Sequence, residues 1–209
     1  MKLIVVSSSK NRTDEAKVMN ELFESGLNNY HLRKPLMSTQ DMAKIIEAVP
    51  EHFHDRIIIH SHHKLAGRYG LKGIHLTGIH RRRKFSTWLR MRMLKMKNDA
   101  LLVTTSFHKL GHVYTNKDSY DYAFLGSIFD RLTDNFHAGY NEHSLRAVIE
   151  KTELPLIARG GTTVDTIKRC HELGFSGIAF ASAIWDSPSP LETWKNILDT
   201  CGNYSIEVT

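Results

Sequence analysis

Residues 155–184 have the sequence PLIARGGTTVDTIKRCHELGFSGIAFASAI and contain one complete strand–helix–strand unit. The apolar runs 155–158 and 177–180 are typical of short buried strands. The periodic segment 163–173 between them is typical of a helix, and Gly174 marks its end. Parallel strands of one sheet are joined by crossovers of this kind. The segment therefore predicts an α/β fold built from parallel strands.

The same alternation extends along the rest of the chain. The predicted strands cover 3–6, 30–32, 56–59, 73–76, 101–104, 122–125, 155–158 and 177–180. The predicted helices cover 14–25, 42–48, 63–69, 86–97, 142–151, 163–173 and 190–201. This pattern favours a single-domain (β/α)8 TIM barrel over residues 1–209, at the small end of the size range for that fold. An open doubly wound sheet is the alternative, because segment 108–113 has only a weak helical pattern.

Composition is that of an ordinary globular protein, with 41% hydrophobic and 24% charged residues. The net charge is +6, but eight cations and no acid lie between His80 and Lys97, and without them the remainder carries −2. They are Arg81, Arg82, Arg83, Lys84, Arg90, Arg92, Lys95 and Lys97. Because the basic character is local, we expect no nucleic-acid partner. The apolar residues of the same helix are expected to be buried, with a homodimer contact as the alternative; they include Trp88, Leu89, Met91 and Leu94.

Three further features bear on the compartment. No apolar run approaches the roughly 18–20 residues that a membrane span needs. Residues 1–9 are strand-like and lack the long apolar region and cleavage site of a signal peptide. Cys170 and Cys201 lie in helical segments and are expected to be buried free thiols. We therefore expect a cytoplasmic protein with no membrane partner.

The loops after the seventh and eighth strands contain the clearest site signal. Sites of (β/α)8 barrels form at the carboxyl ends of the strands. Gly160 and Gly161 follow the seventh strand, and Ala181 and Ser182 follow the eighth. Glycines let the backbone approach an anion, and the amides of a following helical turn attract it further. These four residues are predicted to bind phosphate, with a tight turn as the alternative reason for the glycine pair.

Histidines are numerous, with 13 in the chain, and several follow predicted strands. Their pKa near neutrality suits general acid–base chemistry. The spacing of His60, His62 and His63 would also suit a metal ion, but the segment has no carboxylate or thiol nearby, so we predict no metal site. Arg33 follows the second strand, and its guanidinium would suit a phosphate or a carboxylate, with a surface ion pair as the alternative.

These stretches resemble the thiamine-phosphate synthase family, which includes the TenI-type thiazole tautomerases. The resemblance covers nearly the whole chain and is strongest in residues 30–33, 57–60 with 73–76, 121–129, and 157–161 with 177–184. It implies a (β/α)8 barrel in thiamine biosynthesis that holds a phosphorylated thiazole at the glycine pair and at Ala181 and Ser182.

The synthase branch of the family joins a pyrimidine diphosphate to the thiazole phosphate and needs Mg²⁺. The family's Asn-Asp after the third strand corresponds here to His60 and Ser61, and its second metal-binding Asp falls at or near His80. The family's Thr-x-Thr-Lys after the sixth strand corresponds to 131–134, which ends in Asp134. Losing both carboxylates removes the hard oxygen ligands that Mg²⁺ demands.

The tautomerase branch needs only a phosphate site and a proton shuttle, so the resemblance favours a metal-independent thiazole tautomerase without a cofactor. Thiamine-phosphate synthase, with Mg²⁺, is the first alternative, and a non-catalytic phosphate-binding barrel is the second. The family's shuttle histidine falls at Ser127, which leaves other histidines as proton carriers. The predicted catalytic residues are His137, Ser127, His60 and His31. The predicted substrate contacts are Arg33, Thr104, Thr105, His108 and Thr133.

Overall fold

The computed structural model describes residues 1–130, 136–137 and 140–209. In this part of the chain, eight strands follow one another in sequence order and close into a barrel. The pairings are parallel, as in β2 with β3 and β7 with β8. The predicted (β/α)8 barrel is therefore confirmed, and the open doubly wound sheet is excluded.

The strands are β1 (Lys2–Val6), β2 (Tyr30–Leu32), β3 (Ile57–Ile59), β4 (Gly73–Leu76), β5 (Leu102–Phe107), β6 (Tyr122–Leu125), β7 (Leu156–Arg159) and β8 (Gly177–Phe180). The helices are α1 (Glu15–Glu24), α2 (Thr39–Glu47), α3 (Lys64–Tyr69), α4 (Gly78–Arg82), α5 (Lys84–Lys95), α6 (Leu110–Tyr114), α7 (Glu142–Lys151), α8 (Ile167–Glu172), α9 (Ser182–Trp185) and α10 (Pro190–Asn203). A 3-10 helix, Glu51–Arg56, precedes β3. Within the described ranges, no helix combines the length and the apolar character needed to cross a membrane.

The chain divides into two compact units. The β2–β4 unit comprises residues 6–105, and the β6–β8 unit comprises residues 1–5 and 106–209. The single domain over residues 1–209 is still a prediction.

The β6–β8 unit is built on the register of β1, β7 and β8. Lys2 pairs with Gly177 and Val5 with Phe180, so the first strand of the chain lies beside the last.

Cys170 and Cys201 are buried free thiols, as predicted. Burial raises the pKa of the Cys170 thiol to about 12, which leaves it protonated and unreactive at neutral pH.

Helix α8 begins later than the sequence predicts, at Ile167 instead of residue 163. The hydroxyl of Thr166 accepts the amide hydrogen of Thr163 at 3.0 Å and donates to the carbonyl of the same residue at 2.9 Å. A threonine side chain can offer the backbone this local alternative to helical hydrogen bonds. Residues 163–166 are therefore a turn, and the helix forms only after it.

Helix α5 contradicts the prediction that its apolar residues are buried. Trp88 is 51% exposed and Leu89 44% exposed, Met91 is half-buried, and Leu94 is buried. Thr87 and Leu94, one heptad apart, are its buried residues among those described. Since these two positions form only a narrow stripe, most of the apolar surface of the helix is left uncovered. The homodimer contact offered as the alternative stays a prediction.

The β2–β4 unit contains a buried ion pair between the loop after β2 and the start of α1. Lys34 Nζ contacts Glu15 Oε2, with both side chains at most 3% exposed. The same ammonium donates to the carbonyls of Ser8 and Lys10 at 2.8 Å, and the Tyr30 hydroxyl donates to Glu15 Oε1 at 3.0 Å. Burial raises the pKa of the Glu15 carboxyl, and Lys34 opposes that shift. The pair fixes the loop after β2 to helix α1.

We expect Glu15→Gln to destabilise the protein by about 3 kcal/mol or more, because the substitution leaves the Lys34 ammonium buried without a counter-charge. Urea unfolding at neutral pH measures the change. The matched control is Glu21→Gln on the same helix, where the partner Lys17 is exposed and 3.8 Å away, and the expected change is below about 0.5 kcal/mol. Equal effects of the two substitutions would contradict a structural role for the buried pair.

Candidate active site

The glycine pair after β7 adopts a backbone that other residues rarely take. Gly160 has φ +89° and Gly161 has φ +67°. A Cβ on Gly160 would lie 2.6 Å from Ser127 Oγ, and one on Gly161 would overlap the carbonyl oxygen of Phe129. Both positions therefore require glycine for conformation and for space.

The loop after β8 lies beside this pair. Arg159 is in register with Ala179, and the Thr162 hydroxyl donates to the Ala179 carbonyl at 2.6 Å. Helix α9 begins at Ser182 directly after Ala181. The first amides of a helix have no carbonyl partner within it, so they are available to an anion.

The structure thus brings together all four predicted phosphate-binding residues, in one unit. We call Gly160, Gly161, Ala181 and Ser182 the phosphate cradle. All four are partly exposed. The helical amides that adjoin the cradle are those of α9, since α8 begins six residues beyond Gly161.

Ser127, at the family's shuttle position, lies against the cradle. The amides of Ile128 and Phe129 donate to the carbonyls of Arg159 at 3.0 Å and Gly160 at 3.1 Å. These bonds hold the loop after β6 along the loop after β7. The Ser127 side chain is exposed there.

His108 approaches the same loop from the end of β5. Its Nδ1 lies 2.7 Å from the carbonyl oxygen of Gly126, which can only accept a hydrogen bond. Nδ1 therefore carries the hydrogen, and Nε2 of the neutral ring keeps its lone pair. The side chain is exposed. The sequence predicts His108 as a substrate contact. In this tautomer its Nε2 can accept a proton.

The remaining predicted residues of the β6–β8 unit are His137 and Thr133. His137 is exposed, and its amide donates to the Ile128 carbonyl at 2.8 Å. Tyr140 connects this segment to β5, because its hydroxyl donates to the His108 carbonyl at 3.1 Å. Thr133 lies outside the described residues, as does the whole segment 131–134.

The other two predicted catalytic residues, His31 and His60, are buried in the β2–β4 unit. His31 Nδ1 and His60 Nε2 are 2.9 Å apart. His75 stacks on His60 with ring centroids 4.0 Å apart, and its Nδ1 lies 2.8 Å from the hydroxyl of Thr104. Sequence reasoning noted His75 only as one of several histidines at strand ends. The signal that could have grouped the three histidines is the order of the strands, since β2, β3 and β4 are parallel neighbours.

The predicted substrate contacts of this unit differ in access. Thr104 and Thr105 are fully buried. The Thr105 hydroxyl donates to the Leu76 carbonyl at 2.8 Å and accepts from Arg81. Arg33 is exposed, and its backbone is held by Ser7 through bonds of 2.8 and 3.0 Å. Lys34, by contrast, is committed to Glu15 and cannot reach a ligand from that position.

The positions that the family uses for Mg²⁺ do not fit that ion here. His60 and His80 offer imidazole nitrogens, and Ser61 offers a hydroxyl. His80 Nδ1 is also engaged at the start of α4, where it accepts from the Thr77 amide at 3.2 Å. Burial lowers the pKa of His80, and the nearby charges of Arg90 and Arg83 lower it further. Since Mg²⁺ takes oxygen ligands, mainly carboxylates and water, these side chains do not fit it.

Comparisons with known proteins identify the family of this chain. A family model described as thiamine monophosphate synthase matches residues 2–184. The thiamine-phosphate synthase of Methanobrevibacter smithii is 20% identical over 196 residues, which cover 91% of this chain and 91% of that protein. The thiamine-phosphate synthase of Methanococcus maripaludis strain C5 is 22% identical over 210 residues, with coverages of 98% and 96%.

A solved structure, thiamine phosphate pyrophosphorylase from Bacteroides thetaiotaomicron, matches with a TM-score of 0.77 and 27% identity. The match covers 97% of this chain and 98% of that one. The resemblance predicted from the sequence is confirmed, and the chain belongs to the thiamine monophosphate synthase family.

Proposed function

We propose that this protein is an enzyme of thiamine biosynthesis that binds a thiazole phosphate through the phosphate cradle. The observation that carries the proposal is the pair Gly160 and Gly161, whose left-handed backbone admits no other residue and adjoins the loop that begins α9. Backbone amides at such a turn and at a helix N-terminus are suited to a phosphate. Membership of the family indicates which phosphate compound to expect.

Joining a pyrimidine diphosphate to the thiazole phosphate is the first candidate reaction. The relatives that match nearly the whole chain are called thiamine-phosphate synthases, and the matching solved structure is called a thiamine phosphate pyrophosphorylase. This reverses the order of preference that the sequence suggested. Without the Mg²⁺ carboxylates, the diphosphate charge would have to be balanced by guanidinium groups, of which Arg33 is exposed after β2 and Arg81 is bound to Thr105.

The aromatising isomerisation of a thiazole phosphate is the second candidate, and two observations favour it. The family's two metal-binding carboxylates correspond to Ser61 and to a position at or near His80. In addition, Nε2 of His108 has a lone pair, while the Gly126 carbonyl would stabilise the imidazolium through Nδ1. His108 would take a proton from the ligand at Nε2 and return it at another position, so that no net proton is lost.

We expect Gly160→Ala to weaken binding of the thiazole phosphate by about tenfold or more, because the new methyl group collides with Ser127 and strains the backbone. Isothermal titration calorimetry measures the affinity. The matched control is Gly26→Ala, which has the same kind of positive φ, +90°, with nothing within 4 Å of the added Cβ. If Gly160→Ala leaves the affinity unchanged, the ligand binds elsewhere. The same conclusion follows if a dephosphorylated thiazole binds as tightly as the thiazole phosphate.

Two assays on the purified protein distinguish the reactions. The first mixes thiazole phosphate with the pyrimidine diphosphate, with and without Mg²⁺, and measures diphosphate release. The second follows the ultraviolet absorbance of the aromatic product from the dihydrothiazole carboxylate phosphate. Diphosphate release that needs both substrates supports the coupling, and aromatic product in the second assay supports the isomerisation. Ligand binding without turnover in either assay contradicts both reactions and leaves a binding protein.

For the isomerisation, we expect His108→Asn to lower kcat by about 100-fold or more. Asparagine can still donate to the Gly126 carbonyl but cannot carry the proton. The matched control is His143→Asn on the exposed side of α7, which should leave kcat unchanged. A loss of rate in His137→Asn together with an unchanged rate in His108→Asn would assign the proton transfer to His137 instead.

A further inference from the structure

His31, His60 and His75 form a convergent cluster in the β2–β4 unit, which we call the three-histidine cluster. One ring nitrogen of each residue lies within 4.8 Å of those of the other two. The side chains belong to residues that are 0%, 5% and 2% exposed. We propose that this cluster binds one divalent transition-metal ion of the Zn²⁺ type.

The backbone positions of the three residues are fixed by the sheet. His31 and His75 belong to β2 and β4, and His60 follows β3 between them. The carbonyl of His31 accepts from the Ser7 amide at 2.9 Å, and the amide of His60 donates to the Leu32 carbonyl at 3.1 Å. His75 is in register with Thr104. The backbones that present the ligands are pre-organised, so binding has to reorient only the rings, of which His60 and His75 are stacked on each other.

The hydrogen bonds are compatible with the protonation states that a metal ion needs. The Thr104 hydroxyl donates its hydrogen to the Ile74 carbonyl at 3.4 Å. Its oxygen can therefore accept the hydrogen on Nδ1 of His75, which is 2.8 Å away. That tautomer leaves Nε2 of His75 with a lone pair. A hydroxyl in this role orients a ligating imidazole, as outer-shell partners of metal sites do.

His31 Nδ1 and His60 Nε2, 2.9 Å apart, share one hydrogen in the metal-free protein. For both nitrogens to bind the ion, this hydrogen has to move to the far nitrogen of its own ring, and no proton is released overall. Tetrahedral coordination at Zn–N distances of about 2.0–2.1 Å separates ligand nitrogens by roughly 3.3 Å. The two nitrogens would therefore have to separate by a few tenths of an ångström, and the rings would have to turn so that both lone pairs point at the ion.

The donor set determines the class of ion. Three neutral imidazoles suit zinc, copper or nickel, whereas magnesium prefers oxygen ligands. Three protein ligands leave a fourth position for water or an anion, as in zinc sites that act on substrates. The prediction of no metal considered only the neighbours of His60 along the chain, whereas the cluster combines it with residues of two other strands. In this proposal His31 and His60 are ligands and not proton carriers.

The experiment uses the full chain without a polyhistidine tag, stripped of metal with a chelator. Calorimetric titration with Zn²⁺ in an excess of Mg²⁺ should give one ion per chain, and Zn²⁺ should raise the Tm. Co²⁺ should give the visible absorption bands of four-coordinate cobalt. His75→Asn should weaken Zn²⁺ binding by about 100-fold or more and abolish these bands.

The matched control is His62→Asn. His62 lies two residues after His60, but its ring nitrogens contact Thr39 Oγ1 at 2.7 Å and the Met37 carbonyl at 2.9 Å. Its φ of +53° is one that asparagine tolerates. His62→Asn should bind Zn²⁺ as the wild type does.

Circular dichroism checks the fold of each variant, and His31→Asn provides a second ligand variant if His75→Asn does not fold. Absence of saturable Zn²⁺ binding by the wild type overturns the proposal, whatever the variants do. An equal loss of affinity in His62→Asn and His75→Asn overturns the assignment to this cluster. Neither result depends on which reaction the phosphate cradle serves.

Discussion

Parallel pairing in a fixed register decides which side chains of this chain can meet. Each parallel strand ends at the same edge of its sheet as its neighbours, so residues far apart in sequence are brought side by side wherever strands end. In the β6–β8 unit this brings Gly160 to the loop that follows Ala179, and in the β2–β4 unit it brings His31, His60 and His75 together. The phosphate cradle and the three-histidine cluster are both products of register, and their chemistry differs because the residues at the strand ends differ.

Electrostatic substitutions distinguish this chain within its family. The hydroxyl of Ser61 and the imidazole of His80 stand at or near the positions of the metal-binding carboxylates, and the ammonium of Lys34 is paired inside the protein with Glu15. The neighbouring cation in the same loop, Arg33, is exposed. An enzyme with this set of charges keeps the means to hold a phosphate by backbone amides, which do not depend on side-chain charge. The side chains at these positions offer no carboxylate to magnesium, whereas imidazole nitrogens suit softer ions.

The periodicity of apolar residues predicted the fold, and the residues that follow β7 and β8 predicted which side chains lie together in the β6–β8 unit. The bounds of β2, β4, β6 and β8 follow from short apolar runs between turn residues, and the cradle follows from glycines placed after a strand. The start of α8 was missed because the hydroxyl of Thr166 competes for backbone hydrogen bonds, which a periodic pattern does not reveal. Burial of Trp88 was predicted wrongly, since a pattern of apolar residues does not show which face of a helix meets the core. The grouping of His75 with His60 depends on contacts between strands, and no spacing along the chain encodes it.

The contact between Ser127 and Gly160 also bears on how this family can diversify. A Cβ added at Gly160 would collide with the Cα of Ser127, which every residue has, and with its Cβ, which every residue except glycine has. Glycine is therefore required at position 160 whatever chemistry the side chain at position 127 supplies. Position 127 can change its reactive group while the neighbouring backbone amides stay in place. Under the proposed function, a substitution at position 127 could therefore change the reaction without disturbing the backbone that binds the phosphate.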